Sequence, residues 1–75
     1  MKKVWIILCR EDYTEKWLIT NTTSNSPDNP SCLSIFVDRK DCLTELKELK
    51  DIFEREGFQL KSKCIEALSI GQYLL

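Results

Sequence analysis

MKKVWIILCRED, residues 1–12, sets two lysines before an apolar run from Val4 to Cys9 and closes it with Arg10, Glu11 and Asp12. A secretory leader needs an apolar stretch of about 7–15 residues and small residues at the cut. Here the run stops at once in charges, and Leu8 rather than a small residue precedes Cys9, so export and lipid anchoring are disfavoured. No other run nears the ~18 apolar residues of a membrane span. The stretch therefore predicts a strand over about residues 3–10 in a cytoplasmic chain with no membrane partner. Its β-branched and aromatic residues follow one another without polar interruption, which predicts burial on both faces.

Working outward, KWLITNTT at residues 16–23 predicts a second strand with one wetter face. A hairpin turning at Asp12 to Thr14 sets Trp17 beside Cys9 and Ile19 beside Ile7, so that Trp5 and Trp17 share a face. A slip of one residue would separate them. TSNSPDNPS, residues 23–31, holds two prolines among Asn, Ser and Asp and reads as a flexible loop. CLSIFVD at residues 32–38 predicts a third strand.

DRKDCLTELKELKDIFEREG, residues 38–57, is the clearest helix, expected over about residues 39–56. Cys42, Leu46, Leu49 and Phe53 recur at helical spacing, with Leu43 and Ile52 widening the stripe. Asp38 is the candidate N-cap and Gly57 the C-terminal stop. Lys47 with Asp51, Lys50 with Glu54 and Asp51 with Arg55 are candidate i,i+4 pairs. FQLKSKCIE, residues 58–66, alternates as a fourth strand. ALSIGQYLL, residues 67–75, fits a short helix, a strand end or a docking tail equally well.

The resulting expectation is one α+β domain over residues 1–75, a four-stranded mixed sheet in the order β-β-β-α-β with an amphipathic helix on one face. One helix covers one face of a sheet, yet the first strand is apolar on both. The second face must be shielded by the C-terminal segment, by a second copy of the chain or by a different partner.

Composition narrows the chemistry. The 75 residues carry 11 basic and 12 acidic side chains, a net charge of -1, which gives no global attraction to nucleic acid. The absence of histidine removes the usual general base and the commonest metal ligand. Cys9, Cys32, Cys42 and Cys64 are spaced singly, unlike the close pairs of a zinc site, and in a cytosolic chain read as free buried thiols. Glu11 and Asp12 adjoin in a polar turn, where carboxylates are solvated and unsuited to acid catalysis. Cys42 lies in the first helical turn, but Asp41 beside it opposes a thiolate. With Gly57 and Gly71 the sole glycines, no phosphate-cradling loop is possible.

These residues predict a non-enzymatic interaction module without cofactor or metal, binding a second copy of itself as a homodimer or another protein. The candidate interface is Trp5, Ile7, Trp17, Ile19 and Tyr13. The alternative is a single-stranded nucleic-acid binder, stacking bases on Trp5, Trp17, Phe36 and Tyr13 within a rim of Lys2, Lys3, Arg10, Lys16, Lys61 and Lys63. No motif assigns the chain to a family. In size and lack of catalytic equipment it is similar in type to small phage or mobile-element proteins that block a host machine by binding it, anti-CRISPR proteins among them. That likeness implies a regulator or inhibitor of a host complex.

Overall fold

The computed structural model describes residues 2–23 and 31–74. Its centre is β1 (Lys3–Glu11), the strand that opens the chain. Val4, Ile6, Ile7 and Leu8 are each 5% exposed or less. Burial of each such side chain contributes on the order of 1.5–3 kcal/mol, which makes β1 the axis of the core.

Along one edge β1 pairs over its whole length with β6 (Phe58–Glu66), from Lys3 opposite Glu66 to Glu11 opposite Phe58. Its other edge is shared by two short strands, β2 (Leu18–Ile19) and β5 (Ile35–Phe36). Between these the chain leaves the sheet as a hairpin of β3 (Asn21–Thr23) and β4 (Ser31–Leu33). The strands expected at residues 16–23 and 32–38 are thus each broken once, at Thr20 and at Ser34. The flexible loop expected at residues 23–31 falls, over residues 24–30, outside the described residues.

The break is stitched at the neck of the hairpin. Ser34 N–H donates to the Thr20 carbonyl at 3.0 Å, while Ile7 bonds both strands, donating to Ser34 at 3.2 Å and accepting from Thr20 at 2.9 Å. The Thr20 hydroxyl donates to Ser34 Oγ at 2.6 Å, and both residues are buried. Two hydroxyls in a dry site satisfy one another, which removes the penalty of burying either alone.

The α+β class is as expected, with four strands and one helix, and every pairing in the sheet is antiparallel. β5 and β6 run in the same direction, but β1 lies between them. They are linked by the helix α1 (Arg39–Arg55). Asp38 holds the N-cap position without a side-chain capping bond; its carbonyl accepts from Cys42 N–H at 3.2 Å. Gly57 ends the helix at φ +86°, a conformation costly to residues with a Cβ, and its N–H donates to the Glu54 carbonyl at 3.2 Å. Of the three anticipated ion pairs, Lys50–Glu54 forms at 3.9 Å, and the other two are not closed among the described residues. The helical stripe is narrower than its sequence: Cys42 is fully buried, whereas Leu43 and Ile52 are 40% and 55% exposed.

Each face of β1 is covered from within the chain. Cys42, Trp5 under Arg39, and Phe58 edge-on to Phe53 at 5.8 Å mark the face beneath α1. On the opposite face Val4, Ile6, Leu8, Ile19 and Ile65 form the core cluster, with Trp17, Ile35, Ala67, Ile70 and Tyr73 packed against it. The last three belong to a 3-10 helix, Ala67–Tyr73, which resolves the ambiguous C-terminal segment. Ala67 N–H donates to the Lys2 carbonyl at 2.9 Å and lays that segment across the sheet.

The two tryptophans do not share a face. Leu8 pairs with Ile19 and Cys9 with Leu18, one residue from the expected register. The turn is closed by Thr14, whose N–H and hydroxyl both donate to the Glu11 carbonyl at 3.0 and 3.3 Å, and by Arg10, which bonds the Thr14 carbonyl. That wider turn sends Trp17 to the Val4 face and leaves Trp5 beneath the helix.

Candidate interaction site

The five residues expected to form an interface are not assembled into one surface. Ile7 is 0% and Ile19 7% exposed, so neither has much surface left to offer. Trp5 and Trp17 are half-buried on opposite faces. Tyr13, 86% exposed, stands alone at the turn.

What the fold leaves open is the outer edge of β6. Asp12 N–H donates to the Gly57 carbonyl at 3.0 Å, and Ala67 N–H to the Lys2 carbonyl at 2.9 Å. Both bonds lie in the β1–β6 register, so the inner hydrogen bonds fall at Val4–Ile65, Ile6–Lys63, Leu8–Lys61 and Arg10–Gln59. The intervening residues, Leu60, Ser62 and Cys64, direct N–H and C=O away from β1. Ile7 confirms this alternation, since its backbone bonds Thr20 and Ser34 on the far edge of β1. Among the described residues no hydrogen bond outside the ladder reaches the backbone of Leu60, Ser62 or Cys64. An unpaired strand edge is a template for another chain.

The side chains along this edge differ between its faces. Toward the core cluster stand Gln59, Lys61 and Lys63, all exposed. Lys61 Nζ lies 4.1 Å from the centre of the Trp17 ring, which Arg10 also covers at 5.5 Å. Lys63 Nζ lies over Tyr73 and donates to its hydroxyl at 3.0 Å. The aromatic rings hold the cations in place. Toward α1 the edge begins at Phe58, which with Ile52, Phe53 and Glu56 lines a cavity of about 120 Å³. A larger groove, about 300 Å³, runs from Phe58 past Cys9 and Leu18 to Tyr13 and Lys16.

Two of the thiols are held in their protonated form by their surroundings. Burial pushes the Cys42 thiol above its ordinary value of 9.0. Cys9 is likewise raised, first by burial and then by the nearby Glu11 carboxylate. Both shifts disfavour the thiolate. Cys9, Cys42 and Cys64 are unpaired thiols, and no group of three Cys, Asp or Glu among the described residues is placed to hold a metal ion.

The signal for the β6 edge was present in the sequence as Lys61-Ser62-Lys63: lysines spaced by two mark one face of an edge strand. Among the described residues no helix is long and apolar enough to cross a membrane. No family model matches the chain, and no curated protein or solved structure matches it significantly.

Proposed function

We propose that this chain is a small non-catalytic interaction module that acts by pairing its β6 edge with a strand of another protein, and so regulates or inhibits the complex to which that protein belongs. The observation that carries this reading is the outward set of backbone groups at Leu60, Ser62 and Cys64, continuous with an apolar cavity at Phe58. Strand addition uses such an edge for affinity and such a pocket for specificity. A reducing cytoplasm suits the unpaired thiols.

A different protein is favoured over a second copy. Antiparallel self-pairing of β6 centred on Ser62 sets Lys61 of one copy against Lys63 of the other. Centring it on Lys61 or on Lys63 sets like residues face to face, and like charges directly opposed are destabilising.

Amide hydrogen exchange by NMR tests the reading. In the free chain the amides of Leu60, Ser62 and Cys64 should exchange much faster than those of Lys61, Lys63 and Ile65. Equal protection of both sets in the monomer would mean that the edge is already occupied and would refute the reading.

A second reading, single-stranded nucleic-acid binding, draws support from Arg10, Lys61 and Lys63 around Trp17 and Tyr73. It ranks lower because Lys61 and Arg10 cover the ring on which a base would stack, and Trp5 faces the other way. Oligothymidylate at low salt distinguishes the two, since nucleic-acid binding would shift Trp17 emission in a salt-dependent way.

A further inference from the structure

The edge of β6 is chemically two-sided, and this restricts what can pair with it. An added strand extends the sheet in register, so its residues alternate between the face of Lys61 and Lys63 and the face beneath α1. On the first face β6 contributes Gln59, Lys61 and Lys63 and no carboxylate. The nearest acid of that turn, Asp12, already accepts from Gln59 Nε2 at 3.3 Å. Among the described residues neither lysine is in an ion pair. Their ammonium groups are instead held against Trp17 and Tyr73 while remaining exposed, which reduces the ordering needed when an anion arrives. On the second face the cavity at Ile52, Phe53 and Phe58 is apolar, about the size of a single aliphatic side chain, and Glu56 at its rim repels a carboxylate.

Resting on the edge-pairing reading, we propose that the strand accepted by β6 alternates acidic and aliphatic residues, with carboxylates beside Lys61 and Lys63 and an aliphatic side chain in the Ile52–Phe53–Phe58 cavity. Acidic residues two apart on a strand repeat at roughly 6.7 Å, the same repeat as the two lysines. The occupant is therefore an acidic extended segment of a different protein. A second copy of this chain offers no carboxylate on that face of its β6.

The test uses the whole protein with three probes: a short peptide alternating Glu and Val, its counterpart alternating Lys and Val, and oligothymidylate. Affinity is read from Trp17 emission, because Lys61 sits on that ring, and position is read from amide protection. The Glu–Val peptide should protect Leu60, Ser62 and Cys64 and bind about tenfold more tightly than the Lys–Val peptide, given two exposed pairs. Lys61→Glu with Lys63→Glu should reverse that order. The milder Lys61→Gln with Lys63→Gln should abolish the preference in a chain whose fold is checked by circular dichroism. Equal affinity of the two peptides, with the β6 amides protected by both, would overturn the acidic-strand proposal and leave edge pairing standing. Protection by neither peptide would remove edge pairing as well. Oligothymidylate binding that depends on the lysines and leaves the β6 amides unprotected would assign the face to nucleic acid instead.

Discussion

Replacing Thr20 by valine tests the account of the interrupted strand most directly. Thr20 and Ser34 are 1% and 3% exposed, and the hydroxyl of one donates to that of the other at 2.6 Å. Thr20→Val nearly preserves shape but strands the Ser34 hydroxyl in a dry site, at a cost of about 1–3 kcal/mol. Ser34→Ala strands the Thr20 hydroxyl at similar cost. With both substitutions no polar side-chain group remains unpaired, and the double variant should lie close to the parent in stability. The coupling between the sites is then on the order of 1–3 kcal/mol, far from additive. Urea unfolding followed by tryptophan emission measures it. With a slope of about 1–2 kcal/mol/M, a loss of 2 kcal/mol lowers the midpoint by roughly 1–2 M at unchanged slope. If Thr20→Val is neutral, or if the double variant loses the sum of the singles, the two hydroxyls do not close the neck of the hairpin as argued.

Four further outcomes follow from the structure. Lys63→Pro removes an inner ladder bond and orphans the buried Ile6 carbonyl, costing about 1–3 kcal/mol. Ser62→Pro alters an outward N–H and should cost less than about 1 kcal/mol while blocking strand addition; equal losses in thermal melts would show that the register is misassigned. Gly57→Ala should lose about 1–2 kcal/mol and Gly57→Asn less, because at φ +86° the penalty is conformational and the nearest atom to an added Cβ is Asp12 Oδ2 at 3.9 Å. The raised thiols of Cys42 and Cys9 make stability fall as pH climbs above about 9.0, since the unfolded chain releases those protons first and binds fewer than the native state. Urea midpoints from pH 8 upward should show a decline that is shallower in Cys42→Ala. Native alkylation should reach the exposed Cys64 before the buried Cys42.

The legible parts of the fold are those specified by local pattern. The unbroken run Val4 to Cys9 announces a strand buried on both sides, and the spacing of Cys42, Leu46, Leu49 and Phe53 announces α1 within a residue of its ends. The site was legible in its parts and not in its assembly. Trp5 and Trp17 are visible as large apolar side chains, but a turn one residue wider than expected sends them to opposite faces. Composition and periodicity do not encode that shift, because it is set by the particular hydrogen bonds that Arg10 and Thr14 make within the turn.

The sequence by itself determined the long strands β1 and β6, the helix α1 and the need to shield a second apolar face, since periodicity and hydrophobicity are properties of neighbouring residues. Tertiary structure alone decided what does the shielding. Ala67, Ile70 and Tyr73 pack on the core cluster through contacts with residues some sixty positions earlier, and no local preference for a 3-10 helix foretells them. It also decided which strand lies at the edge. Whether Leu60, Ser62 and Cys64 point their backbone groups into the sheet or out of it depends on β1 taking β6 on one side and β2 with β5 on the other, and on the hydrogen-bond phase of the β1–β6 register.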